Sequence, residues 1–128
     1  MSPSTTTKGQ LEARISDALI KFEREYMGRG PEEAKSYIIE DLVVVRLRGV
    51  LTPAERQLAR SDGNEQGRNL IKQVRMELLE RGRPLLENIV TDITGQKVRS
   101  LHTDISTVTG ERIIVFSLNG PILLEEVP

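Results

Sequence analysis

The chain has no cysteine and no tryptophan, and only four other aromatic rings, Phe22, Tyr26, Tyr37 and Phe116, in 128 residues. Without cysteine there is no disulfide scaffold, thiolate metal site, cysteine nucleophile or thiol redox centre, which suits a reducing compartment. So few rings cannot furnish the aromatic platform on which nucleic-acid bases stack. A basic excess is also missing, since the formal net charge is -1, and a general nucleic-acid binder usually needs one. The longest apolar stretches, Leu42–Val45 and Ile113–Phe116, are far short of the roughly 20 residues that span a bilayer. Residues 1–7 have no positive segment and no apolar run, unlike a secretory signal. The expectation is a cytoplasmic protein, with any membrane role peripheral, at the inner face, and without insertion.

What is present is enough for one domain. We read residues 1–7 as a disordered tail, 8–119 as a single α+β domain and 120–128 as a C-terminal tail. From Lys8 to Met27, apolar residues at Leu11, Ile15, Ala18, Leu19, Phe22 and Tyr26 recur at helical spacing, and Gly28-Arg-Gly30-Pro31 stops the helix. Residues 34–39 and 42–48 alternate as a hairpin around Glu40-Asp41. Thr52-Pro-Ala-Glu55 carries the N-cap, first-turn proline and capping-box glutamate of a short helix. A polar loop over 61–67 leads to a helix from about Glu65 to Arg81, with Leu70, Ile71, Val74, Leu78 and Leu79 as its buried face. Gly82 is read as its end and Pro84 as the start of another helix, closed by Gly95. A second hairpin, 98–106 and 112–118, turns at 107–111, where Gly110 suits positive φ.

The expected fold is therefore α-β-β-α-α-α-β-β, with the two hairpins merged into a four-stranded antiparallel sheet and helices packed on one face. Strand order is left open. Helices on the Val43, Val45, Leu47 side leave Val44, Arg46 and Arg48 opposite, beside either Ile113, Val115 and Ser117 or Ile114, Phe116 and Leu118. Either choice strands apolar side chains outside the core, and such patches mark partner surfaces. A homodimer, sheet to sheet or through an edge strand, is expected.

Little catalytic chemistry is visible. His102 is the single histidine, two residues from Asp104 on the same strand face. The pair offers an acid/base couple or two metal ligands, but a metal wants three or four converging ligands, so a structural or interface histidine is the preferred reading. Arg68, Lys72 and Arg75 are spaced to share a polar helix stripe, with Arg83 beyond it. They are candidate anion contacts, against a bland reading as solvated, internally paired charges. Gly28-Arg-Gly30 precedes a strand and not a helix, so it is a turn and not a phosphate loop. No enzyme, metal or cofactor is expected.

Four stretches together resemble a bacterial family, the MpsC-like family of the sodium-translocating, membrane-potential-generating system. They are Ala18–Pro31, Val45–Glu55, Arg83–Leu86 with Ile93-Thr-Gly95, and His102–Thr107 with Thr109-Gly-Glu111. The resemblance covers residues 8–119. It implies a small protein linked to a membrane system for cation translocation and inorganic-carbon uptake, with no active site to transfer. It singles out Arg46, Arg48, Arg83, His102 and Asp104 as interaction positions. The functional expectation is a non-catalytic accessory or regulatory protein of such a system, acting through protein contacts. The alternative is a small-ligand or anion sensor that uses its arginines at a homodimer interface.

Overall fold

Thr7 opens the first helix. Its hydroxyl accepts the Gln10 N–H at 3.2 Å, and the Gln10 side-chain oxygen accepts the Thr7 N–H at 2.9 Å. This reciprocal box satisfies two donors that a helix start leaves unpaired. The computed structural model describes residues 7–60 and 65–124. The tail expected over 1–7, apart from Thr7, therefore lies outside the described residues, as do 61–64 of the expected loop and 125–128 of the C-terminal tail.

The elements are α1 (Lys8–Tyr26), β1 (Glu33–Ile39), β2 (Leu42–Arg48), α2 (Pro53–Arg60), α3 (Glu65–Thr94), β3 (Val98–Ile105) and β4 (Arg112–Leu118). The sheet is antiparallel throughout, in the order β1-β2-β4-β3. Each hairpin contributes one inner strand, so the β2–β4 ladder joins two units that would be marginal alone. A register shift between Val98 and Ser100 introduces a bulge in β3. Glu40 takes φ +56° in the first hairpin turn and Gly110 takes +74° in the second.

The α+β fold with helices against one sheet face agrees with the sequence. The helix count differs. The two helices read on either side of Gly82 are one continuous α3 with Pro84 inside it. Gly82 does not stop the helix; it lets α1 come close. A Cβ added there would lie 2.6 Å from Phe22 Cζ, so the missing side chain is the space Phe22 occupies. Pro84 removes one backbone hydrogen bond, a cost met by burial of Leu79, Leu86 and Val90 along the same stripe.

That stripe is also rotated from the expected one. Ile71, Arg75, Leu79, Leu86 and Val90 are buried, whereas Leu70 and Val74 are 50% and 48% exposed. The core combines the apolar members of this stripe, Ile71, Leu79, Leu86 and Val90, with Leu11, Ile15, Leu19 and Phe22 of α1, Val43, Val45 and Leu47 of β2, and Ile114, Phe116 and Leu118 of β4. Each such side chain contributes about 1.5–3 kcal/mol by leaving water. From the C-terminal segment, Ile122 is buried and Leu124 packs on the same core, while Leu123 is exposed.

Candidate functional site

Three features follow from this packing: a buried charge clamp, an uncovered sheet face, and a basic groove where that face ends.

The clamp centres on Arg75, which is 2% exposed. Its four-residue spacing from Ile71 and Leu79 points it into the core. It therefore does not share a solvent-facing stripe with Arg68 and Lys72, as its spacing from them suggested. Its guanidinium donates to Glu55 twice, Nε to Oε2 at 2.9 Å and Nη2 to Oε1 at 2.6 Å, and to the Val50 carbonyl at 2.8 Å. Glu55 also closes the α2 capping box: its Oε1 accepts the Thr52 N–H at 2.8 Å, and the Thr52 hydroxyl accepts the Glu55 N–H at 3.2 Å. One carboxylate thus caps α2 and ties it to α3. Burial pushes the Glu55 carboxyl up, but the hydrogen bonds from Arg75 and Thr52 and the Arg75 charge together outweigh it and hold the group below its ordinary range.

Glu23 and Arg112 complete the cluster. Glu23 is fully buried and lies 3.7 Å from Arg75 Nη1, within ion-pair reach but too far for a hydrogen bond. Neither of its carboxylate oxygens has a hydrogen-bond partner among the described residues. Burial raises its affinity for a proton, and the attraction of Arg112 and Arg75 only partly offsets this. Arg112 donates to the Thr103 hydroxyl at 3.2 Å, and burial pulls its guanidinium below the usual range. A sequence signal for these residues exists. Glu23 continues the 11, 15, 19 spacing of buried α1 positions, and Arg112 alternates with Ile114, Phe116 and Leu118.

The sheet's second face carries a coherent set of side chains. Residues paired across a ladder project to the same side. The register aligns Ile39 with Leu42 and Ser117, Tyr37 with Val44, Val115 and His102, and Lys35 with Arg46, Ile113 and Asp104. This resolves the open alternative: Ile113, Val115 and Ser117 share the face with Val44 and Arg46. Tyr37 and Ile39 are exposed, and Leu42, Val44, Ile113 and Val115 are half-buried. Both flanking strands have an outward donor already satisfied. Ile38 N–H donates to Glu12 of α1 at 2.8 Å. Ile105 N–H donates to the Asp104 carboxylate at 2.8 Å. Satisfied edge donors disfavour strand addition.

His102 and Asp104 share that face without pairing. His102 Nε2 contacts the Ser100 hydroxyl at 3.2 Å, and Asp104 meets Lys72 Nζ at 3.3 Å. The Ile105 N–H and Lys72 hold the Asp104 carboxyl below its ordinary range. Arg83 is engaged on its own helix by Glu87 at 2.9 Å and Glu80 at 3.5 Å, away from the other candidates. Among the described residues no three histidine, aspartate or glutamate side chains are grouped to hold a metal. Nor is any helix among them long and apolar enough to cross a membrane.

Of the expected anion contacts, Arg46, Arg48 and Arg68 do converge. They line a groove of about 890 Å³ between the end of β2, α2, the start of α3 and the β3–β4 turn. Arg56 and Arg60 of α2 join them; sequence reading missed both, because groove residues drawn from 32 to 111 share no period. Glu111 pairs with Arg46 and Glu32 with Arg56, and Arg48 reaches Glu33 at 3.6 Å.

Comparison with known proteins agrees with the resemblance noted in the sequence. The family model described as "Na+-translocating membrane potential-generating system (MpsC)" matches residues 7–120. An uncharacterized protein, YbcI of Bacillus subtilis (strain 168), is 45% identical over 112 residues, covering 88% of each chain. No solved structure matches. The match of nearly the whole described fold places this chain in the MpsC family.

Proposed function

We propose that this protein is a non-catalytic accessory or regulatory component of a membrane cation-translocation system, linked to inorganic-carbon uptake, and that it works through protein contacts made by the open sheet face. The observation that carries this reading is the apolar strip of Tyr37, Ile39, Leu42, Val44, Ile113 and Val115, which its own helices leave uncovered. Lys35, Arg46 and Asp104 border the strip. An apolar centre with a charged rim is the anatomy of a contact surface. The family description supplies the kind of system, and the satisfied edge donors favour contact through the face over strand addition.

The test is retention of the detergent-solubilised membrane complex on the immobilised chain. Wild type retains an identified subunit of the complex, and Val44→Asp reduces retention at least about tenfold, the effect of a charge buried at a contact centre. Equal retention by both proteins, or none by wild type, overturns the reading. A second copy on the same face is the competing occupant. It would appear as concentration-dependent mass in light scattering that Val44→Asp abolishes.

A further inference from the structure

The groove at the end of the sheet adjoins the apolar strip at Arg46 and has a different chemistry. Five arginines against two glutamates leave its described lining with a formal excess of three positive charges, in a chain whose net charge is -1. This local excess focuses field in a concave site and raises the local concentration of anions.

The groove walls are fixed from behind. Arg75 binds Glu55 of α2 and the Val50 carbonyl, and Val50 N–H donates to the Gly110 carbonyl at 3.0 Å. The buried clamp thereby holds α2, the strand end and the β3–β4 turn in one frame. Arg56 and Arg60 sit on the clamped helix. The internal pairs do not exhaust the cations. Arg60 has no ion-pair partner among the described residues, and Arg68 only approaches the Ala59 carbonyl at 3.5 Å. Planar guanidinium forks with free donors match the oxygens of phosphoryl groups.

We propose that this groove binds a small anion of the oligophosphate class through its charged end. Its volume lies within the roughly 300–1,000 Å³ of small-molecule sites. No aromatic ring is among its described lining, so a nucleobase would find nothing to stack on, and recognition rests on charge and on hydrogen bonds from the guanidinium groups. An excess of three positive charges suits a ligand with several negative charges in a short span better than a monoanion.

The experiment is calorimetric titration of the full chain with inorganic triphosphate at fixed ionic strength. One saturable site per chain is expected, weakening as salt is raised. Arg60→Glu and Arg68→Glu each lower affinity at least about tenfold, the effect of losing a charge-assisted hydrogen bond. Arg81→Glu, an exposed change on α3 outside the groove, leaves affinity within about twofold, as a screened surface charge should. Ile39→Asp, at the end of the apolar strip far from Arg46, also leaves affinity within about twofold, which separates this site from the sheet-face contact. Melting curves establish that each variant is folded. Absence of binding at millimolar triphosphate overturns the proposal, as does equal loss in Arg81→Glu. Tighter binding of an oligoglutamate peptide than of triphosphate also overturns it, in favour of an acidic protein segment.

Discussion

Arg75 and Glu55 form a two-pronged ion pair, at 2.9 Å and 2.6 Å, between a helix interior and the first turn of another helix. The arginine is buried, and the glutamate side chain is 22% exposed. A pair with one foot in the core couples three things: the α2 cap, the packing of α3 and the walls of the basic groove.

Glu55→Gln keeps the shape and removes the charge. It leaves a buried guanidinium short of its partner, at a cost of about 3 kcal/mol at neutral pH. The folded-state carboxyl titrates below its ordinary value. Its contribution is therefore present above the unfolded-state pKa and is lost as pH falls through the lowered folded value. Denaturant melts of the two proteins should differ most at neutral pH and converge in acid. A gap that persists unchanged into acid would show that the carboxylate charge is not the source.

Glu23 has the opposite sign. Burial raises its folded pKa. The favourable contribution of this group is complete below the unfolded-state pKa and is lost as pH rises through the raised folded value. Glu23→Gln mimics the protonated form at every pH. The variant is expected to be more stable than wild type at neutral pH, by an amount that shrinks on acidification. A loss of stability at neutral pH would mean that Arg75 and Arg112 do more for the ionised carboxylate than burial does against it.

Gly82→Ala tests the close approach of the two long helices. The new methyl meets Phe22 Cζ at 2.6 Å, so α1 and α3 must part or the ring must turn, costing about 1–3 kcal/mol. Helix propensity alone would make alanine better than glycine by about 1 kcal/mol, so the sign is diagnostic. Thermal melts should show destabilisation that Phe22→Leu, added to Gly82→Ala, partly relieves. A stabilised single variant would contradict the contact.

The strands were legible because their signals are local. Val43, Val45 and Leu47 alternate, Glu40-Asp41 and Gly110 mark the turns, and Thr52 with Glu55 spells a cap that the structure contains. The assignment of β4's faces was not legible, because Ile113 and Val115 are as apolar as Ile114 and Phe116; only pairing with β2 decides which side is covered. Arg75 was hidden by its charge, since a stripe read from apolar residues alone rotates towards Leu70 and Val74. Gly82-Arg83-Pro84 imitates a helix stop because glycine's use here, admitting Phe22, depends on a residue 60 positions away. The basic groove is assembled from β2, α2, α3 and a turn, a convergence that no window along the chain contains.

The absence of cysteine makes the sheet face directly measurable. Val115→Cys places one thiol in the apolar strip, and Arg81→Cys places one on an exposed helix surface as reference. Maleimide labelling rates are compared for each in living cells and in dilute purified protein. If the strip is a working contact surface, the thiol at position 115 reacts several-fold more slowly in cells than in isolation, relative to the thiol at 81. Equal relative rates in the two settings would mean that nothing sits on the face, and the account of how this protein acts would be wrong.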